Sequence, residues 1–378
     1  MEQNKQLDLL SFSTTNRKLR WIDDNNSLQE YLSILDSLKP IAIDIEGDSL
    51  HHYPEKLCVI SLCQEGYLAV IDCLKGDLSS LWRMLSGCEW ICHGMDYDLK
   101  MLRRAGCPQP KKIFDTHIAA KLCGFDSVGY ADLVSLFFQV KLSKEHQKAD
   151  WSRRPLPLSL VHYTAKDVLY LEKLKDILSK LLKSLGRSEW MEQSCERIRR
   201  KIEKSLSKPP YKDPERIEGF QKLDPLGQSI LLEIQRWRQE LALSKGIPPF
   251  KIIRTEDLIQ ISSISSQGES VLKIPAVKQL EKNIRYSLLQ AIEKGKQNGP
   301  HNQPLLSKPF SFMDKESSKR FEELKTKRNK IASSLGLDPG LIASKALLSE
   351  MAMDPKTIRK RLIETDKLCP WQAELLGL

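Results

Sequence analysis

One short run, Ile41-Ala42-Ile43-Asp44-Ile45-Glu46, constrains this chain more than any other. Ile41, Ile43 and Ile45 alternate with Ala42, Asp44 and Glu46. That is the two-residue period of a β-strand, with one aliphatic face and one face carrying two carboxylates. Such a strand needs neighbours and covering helices, and the surrounding sequence supplies both. Leu57–Cys63 and Tyr67–Asp72 read as strands joined by Gln64-Glu65-Gly66, a connection of hairpin length. Ser27-Leu28-Gln29-Glu30 reads as the capping-box start of a helix that ends before Pro40. A helix around Leu78–Leu85, a strand near Trp90–Cys92 and a helix stopped by Gly106 and Pro108 follow. Strands and helices in alternation predict an α/β domain built on a mixed sheet.

From Leu158 onward helix takes over. Val161, Thr164, Val168, Leu171, Leu174, Leu178 and Leu181 recur at three and four residues, with Gly186 as the stop. The prolines of Ser207-Lys208-Pro209-Pro210-Tyr211-Lys212-Asp213-Pro214 cannot continue a helix, and Gly295 to Pro304 makes a second break. The expected division is an α/β domain at 1–206, a proline-rich linker at 207–222 and a helical domain at 223–296. A linker at 297–310 and a second helical domain at 311–378 complete it. Lys and Arg number 59 against 49 Asp and Glu, a formal charge of +10, which favours a polyanionic partner such as nucleic acid. Nine cysteines without a CxxC pair read as small buried hydrophobes of a reducing, cytoplasmic compartment. No long apolar run predicts a membrane span, the polar start lacks a secretory signal, and no GxxxxGK[ST] loop predicts a nucleotide cofactor.

The acids carry the chemistry. Asp44 and Glu46 project from one strand face, and two like charges there are costly unless a cation sits between them. A divalent ion with oxygen ligands is the simplest candidate; the alternative is a wet edge strand. In Cys92-His93-Gly94-Met95-Asp96-Tyr97-Asp98-Leu99 a strand hands over to a helix, with Asp98 in its first turn and Asp96 as the expected N-cap. Tyr163-Thr164-Ala165-Lys166-Asp167 places a phenol and a carboxylate on one helical face. Lys144, Lys148, Arg153 and Arg154 flank the loop before that helix and read either as phosphate-steering groups or as solvated surface charges. His93 reads as a buried, satisfied histidine more readily than as a partner of a metal water, and Asp115 as an N-cap.

Taken in order, Asp44-x-Glu46, Asp98 and Tyr163-x-x-x-Asp167 are similar to the three exonuclease motifs of the DEDD superfamily, in its tyrosine-bearing branch. The surroundings resemble the bacterial ribonuclease D family: Tyr53-Pro54-Glu55-Lys56-Leu57, His93 through Leu99, Phe114-Asp115-Thr116-His117, and Asp150-Trp151-Ser152-Arg153-Arg154-Pro155-Leu156. The resemblance covers residues 20–185 closely and the rest more weakly, where both helical pieces resemble HRDC domains, the second a divergent copy. Many relatives carry a large apolar residue after the glutamate that helps wedge the terminal bases. Here Gly47-Asp48-Ser49-Leu50 stands instead, leaving Leu50 or His52 for that task and Asp48 as a turn residue. Lys327 and Arg328, in the basic stretch Lys325–Lys330, suit a phosphate backbone, while Trp237 and Trp371 read as core.

The resemblance implies a ribonuclease-H-like exonuclease domain followed by two all-α HRDC-like bundles. It implies a 3′→5′ exoribonuclease that trims tRNA precursors and other structured RNAs to 5′-mononucleotides with two Mg²⁺ or Mn²⁺ ions. Asp44 would bridge both ions, Glu46 and Asp167 would complete the nucleophile side, Asp98 would act through the second ion, and Tyr163 would position the attacking water. Two alternatives stay open on sequence alone. One is a DNA-directed exonuclease of the same fold, since no residue shows whether a 2′-hydroxyl is read. The other is a non-catalytic RNA-binding protein.

Overall fold

The computed structural model describes residues 19–143, 145–146, 148–207, 215, 217–301, 314–353, 362 and 364–378. Six strands form one sheet in the order β1-β4-β3-β2-β5-β6, with β1 Leu19–Ile22, β2 Ile41–Gly47, β3 Leu57–Gln64, β4 Tyr67–Asp72, β5 Glu89–Cys92 and β6 Lys112–Asp115. β2 pairs antiparallel with β3 and β3 with β4, whereas β1–β4, β2–β5 and β5–β6 run parallel, so the sheet is mixed. Every residue of β3 is buried, which explains why it is apolar on both faces rather than alternating. From β2 the chain builds one side of the sheet as β3 and β4 and returns on the other as β5 and β6. The C-terminal ends of β2, β5 and β6 thus lie along one edge at a switch in strand order, where open α/β sheets bind ligands.

Eight helices accompany the sheet among the described residues: α1 Asn25–Leu32, α2 Ser79–Gly87, α3 Asp96–Arg104, α4 Thr116–Cys123, α5 Tyr130–Phe138, α6 Leu158–Leu169, α7 Leu171–Ser184 and α8 Ser188–Leu206. α1 differs from its expected start. Asp24, not Ser27, is the cap, accepting from the Asn26 and Ser27 amides at 2.9 Å each. The periodic stretch from Val161 to Leu181 is likewise two helices. The chain breaks at Tyr170, whose amide donates to the Tyr130 hydroxyl at 3.2 Å rather than continuing the ladder undisturbed.

The described residues fall into two compact units, one within 1–47, 57–208 and 313–378, the other within 48–56 and 209–312. In the second unit, α9 Pro225–Lys245, α10 Thr255–Ser266 and α11 Lys282–Gln297 enclose a core of Phe220, Ile230, Leu231, Ile234, Leu258, Ile261, Leu288 and Ile292. Gly295 allows α9 and α11 to touch, because a Cβ there would lie 2.6 Å from Ile230 Cα. Buried Arg238 on α9 donates to Ile253 O at 2.9 Å.

The same device recurs in α12 Lys315–Leu335, a short helix Pro339–Ile342, α13 Lys345–Met353 and α14 Pro370–Leu376. Asp314 caps α12 as Asp224 caps α9, a left-handed glycine ends each helix (Gly336, Gly246), and Arg328 donates to Ala343 O at 2.8 Å. This piece joins the first unit instead of standing apart, because its apolar side finds α8. Trp371 stacks on Trp190 at 4.7 Å between ring centroids, and its indole donates to Ser194 Oγ at 3.2 Å. Arg187, buried, donates to both Leu122 O and Leu335 O at 2.6 Å, tying the ends of α4 and α12 together. Among the described residues no helix is long and apolar enough to cross a membrane.

Candidate active site

Three carboxylates meet at the C-terminal end of β2. Asp44 and Glu46 point from the same strand face, and α6 brings Asp167 over it; their oxygens lie within 4.8 Å of one another. A bulge follows directly, since Glu46 faces Val59 but Gly47 already faces Leu57, and a bulge bends a strand and re-aims its side chains. α6 packs on β2, β3 and β4. The Thr164 hydroxyl meets that of Ser61 at 2.8 Å in the core, fixing the turn that carries Tyr163 and Asp167. Ser61 is the residue paired with Asp44 across the ladder.

Asp98 comes from the first turn of α3 and adds its charge to the group. Burial, then Asp98, Asp167 and Glu46, raise the Asp44 carboxyl well above the ordinary range. Burial and then Asp167 and Asp98 push Glu46 to about 8. Asp98 itself is raised to about 7 by burial and then Asp115, and Asp167 to about 7 by burial, against a partial offset from Lys166. Four carboxylates that resist ionisation together hold negative charge poorly without a cation, and their hard oxygens suit Mg²⁺ or Mn²⁺. The Tyr163 ring stands edge-on to His146 at 5.5 Å, and its phenol is pushed far above 10 by burial and the nearby carboxylates.

Asp96 is not the cap of α3. The helix begins at Asp96 with Met95 before it and has no side-chain cap; Asp115 from the next strand instead holds the turn that leads into it. One carboxylate of Asp115 accepts from the Gly94 and Met95 amides at 3.0 and 2.9 Å and also caps its own helix through His117 N at 2.9 Å. Beside Tyr163 and Asp167 lies a cavity of about 400 Å³, whose lining includes His93, His117, Tyr130 and Leu142. Tyr130 donates to Lys166 O at 2.9 Å while accepting from Tyr170, so it braces the backbone beneath Asp167. Thr116 and His117 stand in the Phe114–His117 stretch, whereas Tyr130, which opens α5, belongs to no motif.

The basic residues divide. Lys144 lies outside the described residues; Lys148 and Arg153 are exposed. Arg154 is committed elsewhere, donating to both carboxylate oxygens of buried Asp72 at 2.7 Å and to Cys58 O at 3.0 Å. Exposed Lys327 donates to Leu376 O at 2.6 Å. Arg328 is only 6% exposed and spends its guanidinium on Ala343 O and Asn329, so expecting it on a phosphate backbone does not fit its burial. Leu50 is exposed, whereas Asp48 is buried in the turn after β2 and accepts from Lys56 N at 2.6 Å.

A family of 3′-5′ exonuclease domains matches residues 19–183. Ribonuclease D of Zymomonas mobilis is 30% identical over 293 residues, covering 75% of this chain and 74% of the relative. Ribonuclease D of Bartonella henselae is 27% identical over 383 residues, covering 97% and 90%. The solved structure of Escherichia coli RNase D, described as an exoribonuclease involved in structured RNA processing, shares the fold with a TM-score of 0.73. It is 22% identical and covers 95% of this chain and 96% of that one. With its carboxylates gathered at the sheet edge and its relatives matched along nearly the whole length, the chain belongs to the ribonuclease D family of 3′→5′ exoribonucleases.

Proposed function

We propose that the chain shortens structured RNAs such as tRNA precursors from the 3′ end, releasing 5′-mononucleotides, with Asp44, Glu46, Asp98 and Asp167 holding two Mg²⁺ or Mn²⁺ ions. The crowding of Asp44, Glu46 and Asp167 within 4.8 Å, with Asp98 bearing on the first two, carries this reading. Bound there, the ions supply a water nucleophile near neutral pH and neutralise charge building on the phosphate. Asp44, which feels all three other carboxylates, would help to hold both ions. Glu46 and Asp167 would hold one ion with it, and Asp98, outside the tight trio, would act on the other.

Tyr163 keeps its proton, because the carboxylates around it oppose a phenolate. Its hydroxyl therefore orients the attacking water rather than abstracting a proton. Exposed Lys148 and Arg153 in the approach to α6 steer phosphates toward the cleft, as does the overall charge of +10. Nine free thiols suit the cytoplasm. The test is incubation with 5′-labelled RNA in Mg²⁺, Mn²⁺ or EDTA. Ladders shortening one nucleotide at a time from the 3′ end, abolished by EDTA, are expected; internal cuts or full activity in EDTA would overturn the reading.

A further inference from the structure

The stretch Tyr53-Pro54-Glu55-Lys56-Leu57 has no place in the carboxylate cluster, yet the chain enters the loop that carries it two residues after Glu46. Buried Asp48 closes this loop at its neck. The Asp48 amide donates to Lys56 O at 3.3 Å, and its carboxylate accepts from Lys56 N at 2.6 Å. Asp48 O also accepts from the amides of His51 and His52, at 2.8 and 2.9 Å, which folds the first half of the loop. The neck adjoins the bulge at Glu46 and Gly47. A bulge interrupts regular ladder pairing, so the aim of its side chains depends on what holds the chain on either side. Before Glu46 that is the ladder with β3; after Gly47 it is this loop.

The loop is fastened in turn from far along the sequence. The Tyr53 hydroxyl donates to Gln239 Oε1 at 2.7 Å, and Tyr53 N donates to Gly246 O at 3.1 Å. Gln239 is buried on α9, and Gly246 is the left-handed glycine that ends that helix. Residues 48–56 therefore belong to the compact unit of α9, α10 and α11, although they lie between β2 and β3 in the sequence. Leaving a buried partner of such a bond unmatched costs free energy, so the pair favours one position of the loop. We propose that the Tyr53–Gln239 pair makes α9 a brace for the end of β2, fixing the aim of the Glu46 carboxylate, so that the helical unit tunes metal affinity at the carboxylate cluster. The inference rests on the reading of Asp44, Glu46, Asp98 and Asp167 as metal ligands. Tyr53 and Gln239 are positioning residues that act through Glu46.

The experiment measures Mn²⁺ binding to the full-length protein by isothermal titration calorimetry without substrate, beside single-turnover hydrolysis at several Mn²⁺ concentrations. Loss of one hydrogen bond that leaves a buried partner unmatched sets the scale, about threefold to tenfold. Tyr53→Phe and Gln239→Leu should each weaken Mn²⁺ binding by that factor and slow hydrolysis more at limiting than at saturating metal. The double variant should bind no more weakly than the worse single one, because both changes remove the same bond. Gln239→Glu, which keeps an acceptor, should restore most of the affinity. Ser287→Ala removes another hydrogen bond of the same bundle, that from the Trp237 indole at 2.9 Å, and should leave Mn²⁺ affinity unchanged. An equal loss in Ser287→Ala would overturn the proposal, since bundle stability alone would then explain the effect. Wild-type affinity in Tyr53→Phe would overturn it too, and that variant keeps its ring, so the test stands even if Gln239→Leu fails to fold. Glu46→Gln separates the two readings. If it binds Mn²⁺ like wild type, the metal reading fails; if it weakens binding while Tyr53→Phe does not, only the brace fails.

Discussion

Replacing Asp44 with Asn should stabilise the metal-free protein while disabling it. Glu46 and Asp98 have folded values of about 8 and 7, against 4.5 and 3.8 for ordinary Glu and Asp, and Asp44 is raised as well. Because the folded values lie above the unfolded ones, the folded chain retains protons that the unfolded chain has released. The stability from these groups is thus full below about pH 4 and is lost as pH rises through 7 to 8. Holding one carboxyl such as Glu46 in the fold at pH 8 costs on the order of 4 kcal/mol.

An amide at position 44 removes one of the crowded charges and with it the cost of holding that charge in the fold, so the metal-free variant gains Tm. Thermal unfolding followed by circular dichroism in EDTA should therefore show Asp44→Asn melting above wild type at pH 8. At pH 5, where the carboxyls are largely protonated, the gap should narrow. Saturating Mg²⁺ should reverse the order, since wild type then gains the binding energy that the variant has forfeited. The same variant should lose at least about a thousandfold in hydrolysis. A gain equally large at pH 5, or no gain at pH 8, would refute the argument from charge crowding.

Tyr163→Phe should slow single-turnover hydrolysis by about a hundredfold without rescue by excess metal, as the hydroxyl orients water and binds no ion; recovery at high Mg²⁺ would refute this. Arg154→Ala should destabilise the first unit by about 3–5 kcal/mol in urea unfolding, because the fully buried Asp72 carboxylate loses its partner. Arg328→Ala should lower Tm yet leave the salt dependence of RNA affinity unchanged, and a shallower slope would restore this arginine to a phosphate-binding role.

The sheet and its acids were legible because their signals are local. Period two in Ile41–Glu46 gives a strand with paired carboxylates, and the spacing of Tyr163 and Asp167 gives one helical face. What stayed hidden depends on partners distant in sequence. Arg154 and Arg153 look alike until Asp72, 82 residues before the former, claims one of them. Arg328 looks like surface charge until the chain turns back to offer the Ala343 carbonyl, as Ile253 does for Arg238. The break at Tyr170 follows from the Tyr130 hydroxyl 40 residues earlier, which no apolar periodicity encodes. Likewise the contact of His93 with Thr116, which itself donates to Cys92 O, exists only once β5 and β6 lie side by side.

The contacts of Arg187, Trp190 and Ser194 with residues 335 to 371 make the nuclease unit discontinuous, with residues 209–312 inserted between its parts. During synthesis, α8 therefore emerges well before its cover does. At roughly 5–20 residues per second, the inserted bundle alone delays closure by several seconds. A nascent or prematurely terminated chain that already carries Asp44, Glu46, Asp98, Tyr163 and Asp167 still presents the bare face of Trp190 to chaperones and proteases. A chain stopped short of residue 371 thus holds every acid of the site yet lacks the ring that covers Trp190.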